Sequence, residues 1–155
     1  MADIRRITYA TDFSPASLAA FSHALDLARV TGAELTLLHV MASPVTSFIE
    51  GGYVPQEIWD QLDAAQRAQT AREMDRLVKE AVDVGVRATT ALVDGGLAVR
   101  EIVQAADDLK TDVLVLGTHG RTGVARLFLG SVAAGVVATA ACPVLTVRAA
   151  APGLL

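Results

Sequence analysis

Short apolar runs alternate with stretches of helical period along most of the chain, and this alternation restricts the fold more than any other feature. Ile4 to Ala10 reads as a strand that packs through Ile4, Ile7 and Tyr9. Ser14-Pro15 then signals a helix start, since serine caps and proline fits the first turn without losing a hydrogen bond. Leu18, Phe21, Leu25 and Ala28 follow at helical spacing, and Gly32 ends that helix. Glu34 to Met41 reads as a second strand. A long helix is expected from about Gln56 to Val84, with a buried stripe of Ile58, Leu62, Ala65, Met74, Leu77, Val78 and Ala81, and Gly85 stops it. Val86 to Val93 is a third strand with Asp94-Gly95-Gly96 as its exit turn. Leu97, Val99, Ile102, Val103 and Ala106 define a third helix. Asp112 to Leu116 is almost wholly apolar, which suits a strand covered on both faces. Ser131 to Ala141 reads as a fourth helix and Val144 to Arg148 as a fifth strand. Strand and helix in strict alternation imply right-handed crossovers and a parallel sheet with helices on both faces. The expectation is an α/β fold, a single three-layer domain over residues 1–155.

Composition excludes several function classes. Net charge is -4 and the sequence pI is about 5.3, with no basic run, so non-specific nucleic-acid binding is not expected. The lone Cys142 cannot form an intrachain disulfide and has no ligand cluster for zinc; it reads as a small buried residue. No histidine pair has metal-ligand spacing. The N-terminus carries no long apolar run of the secretory kind. The most membrane-like segment, Val132 to Val147, is short and interrupted by Gly135, Thr139 and Pro143. It reads as a buried helix followed by a buried strand, and the cytoplasm is the expected location. The segment Ala42 to Pro55, broken by Pro44, Gly51, Gly52 and Pro55, reads as a loop long enough to serve as a lid or partner surface.

The chemistry concentrates between the fourth strand and the fourth helix, in Gly117-Thr118-His119-Gly120-Arg121-Thr122-Gly123-Val124-Ala125-Arg126-Leu127-Phe128-Leu129-Gly130-Ser131. This segment leaves the carboxyl end of a buried parallel strand, where open α/β sheets bind ligands. Its glycines are expected to take positive φ and to let a phosphate approach the backbone. It ends at a helix N-terminus, where unpaired N–H groups and the helix dipole favour an anion. Ser131 is expected to cap that helix, to offer its hydroxyl to a phosphate, or both. Arg121 and Arg126 are either phosphate contacts or solvated loop charges.

The skeleton of Gly, two residues, Gly, nine residues and Gly-Ser resembles the nucleotide motif of the universal stress protein family, in its ATP-binding branch. Ile7-Thr8-Tyr9-Ala10-Thr11-Asp12-Phe13-Ser14 resembles the family's first strand and its Asp-x-Ser turn. Leu37-Leu38-His39-Val40 resembles its second strand, and Cys142-Pro143-Val144-Leu145-Thr146-Val147 its closing strand. The resemblance covers roughly residues 3 to 148. It implies a Rossmann-like sheet in the order 3-2-1-4-5, of the adenine nucleotide α-hydrolase type. It also implies a ribose or purine contact at Asp12, beside Ala10 and Thr11, and an adenine contact at the Val40 backbone. Phosphate contacts are implied at Gly117, Gly120, Gly130 and Ser131, with Thr118, His119, Arg121 and Val132 as further loop contacts. The implied ligand is ATP, with ADP and AMP as alternatives, and magnesium or manganese would be carried by the phosphates. The family commonly dimerises through the last strand, here Val144 to Val147.

Plainer readings stand beside these. Asp12 could be a turn or cap residue, Ser131 a pure N-cap, His119 a loop contact, His39 a core or adenine-side residue, and His23 a surface residue. The chain lacks the G-x-x-x-x-G-K-[ST] phosphate loop of ATPases and kinases, so a regulatory binding protein is expected, with slow ATP hydrolysis at most. Three other functions compete. An adenylating α/β enzyme would carry a Ser-Gly-Gly-x-Asp-Ser type loop where Thr11-Asp12-Phe13-Ser14-Pro15 stands. A dimeric interaction module without nucleotide would depart from the glycine skeleton, which is intact. A flavodoxin-like protein would carry a Ser/Thr-rich loop after the first strand, which Thr11 to Ser17 matches weakly.

Overall fold

The structure is a computed structural model that describes residues 3–42, 52–119 and 129–149. Most of the Ala42 to Pro55 loop, Gly120, Arg121, Arg126 and the end of the C-terminal tail lie outside the described residues.

Among the described residues nine elements follow in strict alternation: β1 (Arg6–Ala10), α1 (Pro15–Thr31), β2 (Glu34–Met41), α2 (Gln56–Asp83), β3 (Ala88–Asp94), α3 (Ala98–Asp108), β4 (Val113–Gly117), α4 (Ser131–Thr139) and β5 (Val144–Val147). All pairs are parallel and the sheet order is β3-β2-β1-β4-β5, as the resemblance implied. The period of two along each strand divides the interior. Ile7, Tyr9, Leu35, Leu37, Val113 and Val115 meet α1 and α2 through Phe21, Ala24, Met74, Leu77 and Ala81. Ala10, Leu38, Leu114 and Leu116 meet α3 and α4 through Ile102, Ala106, Ala133 and Val136. Full burial of one Leu or Ile side chain contributes about 1.5–3 kcal/mol, so the two clusters supply most of the driving force.

Local signals set the helix ends. Ser14 caps α1, its hydroxyl accepting from Ser17 N at 3.3 Å, with Pro15 in the first turn. Gly32 closes α1 in the left-handed conformation. Gly85 closes α2: Gly85 N donates to Val82 O and Val86 N to Ala81 O, both at 2.9 Å, the six-to-one and five-to-two pattern of a Schellman motif. That motif uses Val86, so β3 starts two residues later than the sequence suggests.

Two expectations about burial are corrected. Only Thr70, Met74, Leu77 and Ala81 of α2 are buried, and Ile58 and Leu62 are 42% and 43% exposed. The cause is length. A 28-residue helix runs ~42 Å and an eight-residue strand ~26 Å, so the first half of α2 overruns the sheet. Arg67 anchors that overrun by bridging Asp63, at 2.9 Å, to Asp94 at the end of β3, at 2.6 Å. The Val132 to Val147 segment is not buried throughout either. Only Ala133 and Val136 of α4 are buried, and β5 is the sheet edge, with Val147 inside and Leu145 39% exposed. Among the described residues no helix is long and apolar enough to cross a membrane.

At the amino end of β1, Asp112 Oδ2 accepts from Arg5 N at 2.9 Å and Arg6 N at 2.8 Å. These two backbone donors hold the carboxyl below its ordinary pKa. A carboxylate whose pKa is lower in the folded than in the unfolded chain stabilises the fold above the unfolded value and loses that effect as pH falls through the folded one. Asp112→Ala is therefore expected to cost roughly 1 kcal/mol at pH 7, modest because the bonds are solvent-exposed. The difference from wild type should shrink below about pH 4. Urea denaturation of both chains at pH 7 and pH 3 checks this; a gap independent of pH would exclude the charge as its source.

Candidate functional site

The strand order reverses between β1 and β4, which opens a crevice over their carboxyl ends. One wall is the turn after β1. Thr11 is clasped by β2 through both main-chain groups: its N–H donates to Leu38 O at 2.9 Å, and its carbonyl lies 2.7 Å from His39 Nδ1. A carbonyl only accepts, so Nδ1 carries the proton. Thr11 Oγ1 accepts from Phe13 N at 3.0 Å and Ser17 Oγ at 2.7 Å. Asp12 Oδ1 accepts from Ser14 N at 2.9 Å, an Asx turn, so the plainer reading of Asp12 is true at least in part. Phe13 sits at φ 61, a region that costs an L-residue about 1–2 kcal/mol. Its ring packs on His39 with centroids 4.8 Å apart. Beneath the turn, the buried Tyr9 hydroxyl donates to Ser17 O at 2.7 Å. Burial pushes its pKa up, which keeps it a donor.

The other wall follows β4. Buried Thr118 donates its N–H to Val147 O at 2.8 Å, accepts at its carbonyl from Gly130 N at 2.7 Å, and shares a 2.8 Å hydrogen bond with His119 Nδ1 through its hydroxyl. His119 O accepts from Ser14 Oγ at 3.4 Å, which joins the two walls.

Two of the glycines, Gly117 and Gly130, depart from the expected backbone conformation. Neither Gly117 nor Gly130 has positive φ; Gly130 is at φ -58. Each is a point of close approach. A Cβ on Gly117 would lie 2.7–2.9 Å from main-chain atoms of Ala16 and Ser17, and one on Gly130 would lie 2.7 Å from Thr118 O. Gly117 is thus spent on packing β4 against the start of α1. Ser131 does not cap α4 either. Gly130 is the N-cap, where the tight contact at Thr118 O favours glycine, and Ser131 stands one residue inside, exposed. The first α4 bond runs from Ala134 N to Gly130 O, so the amides of Ser131, Val132 and Ala133 have no acceptor within the helix.

Val40 enters through its backbone. β1 ends its pairing at Ala10, opposite Leu38, whereas β2 runs on to Met41. Main-chain groups alternate sides along a strand. Those of Val40 therefore point the same way as Leu38 O, past the end of β1. Ala10 is buried in the α3–α4 side of the core at the end of β1. Val132 is on the exposed surface of the first α4 turn. His23 is exposed. Cys142 is half-buried against the α3–α4 cluster, and burial raises its thiol pKa, which makes it a poor nucleophile. Sequence reasoning named Ser14 as the helix cap but missed the parts played by Phe13, Ser17 and His39 in shaping the turn. The one available signal was a polar ring, His39, within the apolar run from Leu37 to Met41.

The model of the universal stress protein family matches residues 3–148. The universal stress protein MJ0531 of Methanocaldococcus jannaschii is 33% identical, over 93% of this chain and 82% of that protein. The solved structure of the hypothetical protein MJ0577 of the same organism superposes with a TM-score of 0.82 at 29% identity, covering 97% of this chain and 99% of that one. A universal stress protein from Archaeoglobus fulgidus, solved in complex with dAMP, shares the fold at a TM-score of 0.63 and 22% identity, over 95% of this chain and 99% of that one. Fold, strand order and sequence agree, and the chain belongs to the universal stress protein family.

Proposed function

We propose that this chain is a regulatory protein that binds an adenine nucleotide, ATP first and ADP or AMP as alternatives, in the crevice between β1 and β4. The observation that carries this reading is the pair of open main-chain sites on the two sides of the crevice. The main-chain groups of Val40 project past the end of β1, suited to the edge of an adenine. The amides of Ser131, Val132 and Ala133 open at the start of α4, suited to phosphate oxygens. Asp12 stands on the turn beside them and is the ribose partner. Gly120 and Arg121 are assigned to the phosphates by the family motif alone. The relative that holds dAMP supports an adenine ligand in this fold.

Among the described residues no three His, Cys, Asp or Glu side chains converge as a metal site. In this reading magnesium or manganese is carried by the phosphates. No residue is assigned to catalysis, and slow hydrolysis is the most the site is asked to do. Nucleotide occupancy is the signal, read by a partner. The exposed edge of β5, Val144–Val147, is the proposed seat of a homodimer, because an unpaired edge strand with Leu145 open to solvent invites pairing. The cytoplasm is the proposed compartment. A second reading, an interaction module without nucleotide, is favoured by the exposed Ile58 and Leu62 on the overrun of α2.

The test is to denature the purified protein, identify any released nucleotide by chromatography, and titrate the stripped protein with ATP by calorimetry, with and without magnesium or manganese. Released or tightly binding adenine nucleotide supports the site. A chain that carries none and takes up no ATP leaves the interaction module. Asp12→Ala is expected to weaken ATP and adenosine about tenfold each, the loss of a charged hydrogen bond, and to leave inorganic triphosphate unchanged. Equal losses for all three would mean that Asp12 only shapes the turn.

A further inference from the structure

We infer that His39 is a positioning residue for the nucleotide site, fixing through Nδ1–H the turn that presents Asp12. The inference rests on the adenine-nucleotide reading and names a residue that acts through another. His39 is buried on β2, and its ring performs two tasks at once. Nδ1 donates to Thr11 O at 2.7 Å, and the ring face meets Phe13 at 4.8 Å with 36° between planes. Thr11 and Phe13 bracket Asp12. The bonds made within the turn, Phe13 N to Thr11 Oγ1 and Ser14 N to Asp12 Oδ1, are local and move with it. The bond from His39 ties the turn to the neighbouring strand. Phe13 holds a left-handed backbone, φ 61, which persists only where surrounding contacts over-determine it. Leu38 O and His39 Nδ1 together take both main-chain groups of Thr11, so β2 sets the direction in which the chain leaves β1.

The atom responsible is identifiable by substitution. The Asn amide reaches about where histidine holds Nδ1, the Gln amide about where it holds Nε2, and Leu fills the volume with no donor. The experiment compares His39→Asn, His39→Gln and His39→Leu in two assays. Calorimetry measures ATP, adenosine and inorganic triphosphate. Amide hydrogen exchange at Phe13 and Ser14 is followed in the nucleotide-free chain. In the Leu and Gln variants, ATP and adenosine are expected to weaken about tenfold with triphosphate unchanged, and both amides to exchange faster. His39→Asn is expected to stay within about threefold of wild type. Normal exchange at Phe13 and Ser14 in His39→Leu would overturn the inference. So would equal losses in all three variants that follow their melting temperatures. If the wild-type chain binds no ATP, the nucleotide reading fails by itself, and the exchange data still decide whether His39 holds the turn.

Discussion

Gly117→Val is expected to destabilise the chain by about 3 kcal/mol, the largest stability effect of any single change argued from this structure. Gly117 ends β4 where that strand passes the first turn of α1. A Cβ there would lie 2.7 Å from the Ala16 carbonyl carbon, 2.8 Å from Ser17 N and 2.9 Å from Ala16 O. These are main-chain atoms, so no side chain can swing away. Nor is the turn free to retreat. It is held by the Ser14 cap, by Tyr9 Oη on Ser17 O, and by the hydrogen bond from Ser17 Oγ to Thr11 Oγ1. Relief requires that α1 tilt off the sheet or that β4 slip from β1, and both open the cluster around Tyr9, Phe21 and Val115. Urea denaturation measures the change. Gly32→Ala is the reference: that glycine has φ 71 and open space around its missing Cβ, so it should lose only the conformational term, about 1–2 kcal/mol. Similar midpoints for the two variants would show that β4 and α1 do not approach as closely as these distances state.

The order of elements was legible because the strands are short and mostly apolar and most boundaries carry their own chemistry. Ser14-Pro15, Gly32 and Gly85 act locally, and a local signal needs no knowledge of the rest of the fold. The strand order was not legible from pattern and came through the family resemblance. What pattern reading lost was non-local. Ile58, Leu62 and Ala65 have the spacing of a buried stripe, but nothing in a helix reports that the sheet beside it stops short. The close of α3 uses Lys110 at φ 53 in place of a glycine, so no breaker announced it. In the site, the residue types were in place but their reasons were not. Gly117 and Gly130 are needed for contacts with residues distant in sequence, and those contacts do not exist until the sheet has formed. The same holds for His39, whose partner Thr11 is 28 positions away.

Gly130→Ala is expected to lower ATP affinity about a hundredfold, and inorganic triphosphate with it, unlike the change at Asp12. The φ of -58 and ψ of 154 at Gly130 suit any residue, so backbone strain is not the cause. The cause is contact: the new methyl would sit 2.7 Å from Thr118 O, the same oxygen that accepts from Gly130 N. The start of α4 must withdraw from the loop after β4, and the amides of Ser131, Val132 and Ala133 withdraw with it. Those amides are the phosphate donors of the proposed site, so the loss falls on the phosphate end. Stability should fall less than with Gly117→Val, by about 1–2 kcal/mol, because one hydrogen bond and one turn are disturbed rather than a strand and a helix. Ser131→Ala separates amide from hydroxyl. Its exposed side chain makes no cap, so removing it should leave stability unchanged and cost ATP little. If Ser131→Ala loses ATP while Gly130→Ala keeps it, the phosphates lean on the hydroxyl and the helix-start amides are not the anion site. Loss in Gly130→Ala alone places the anion on the backbone, where only the close fit against Thr118 holds it in register.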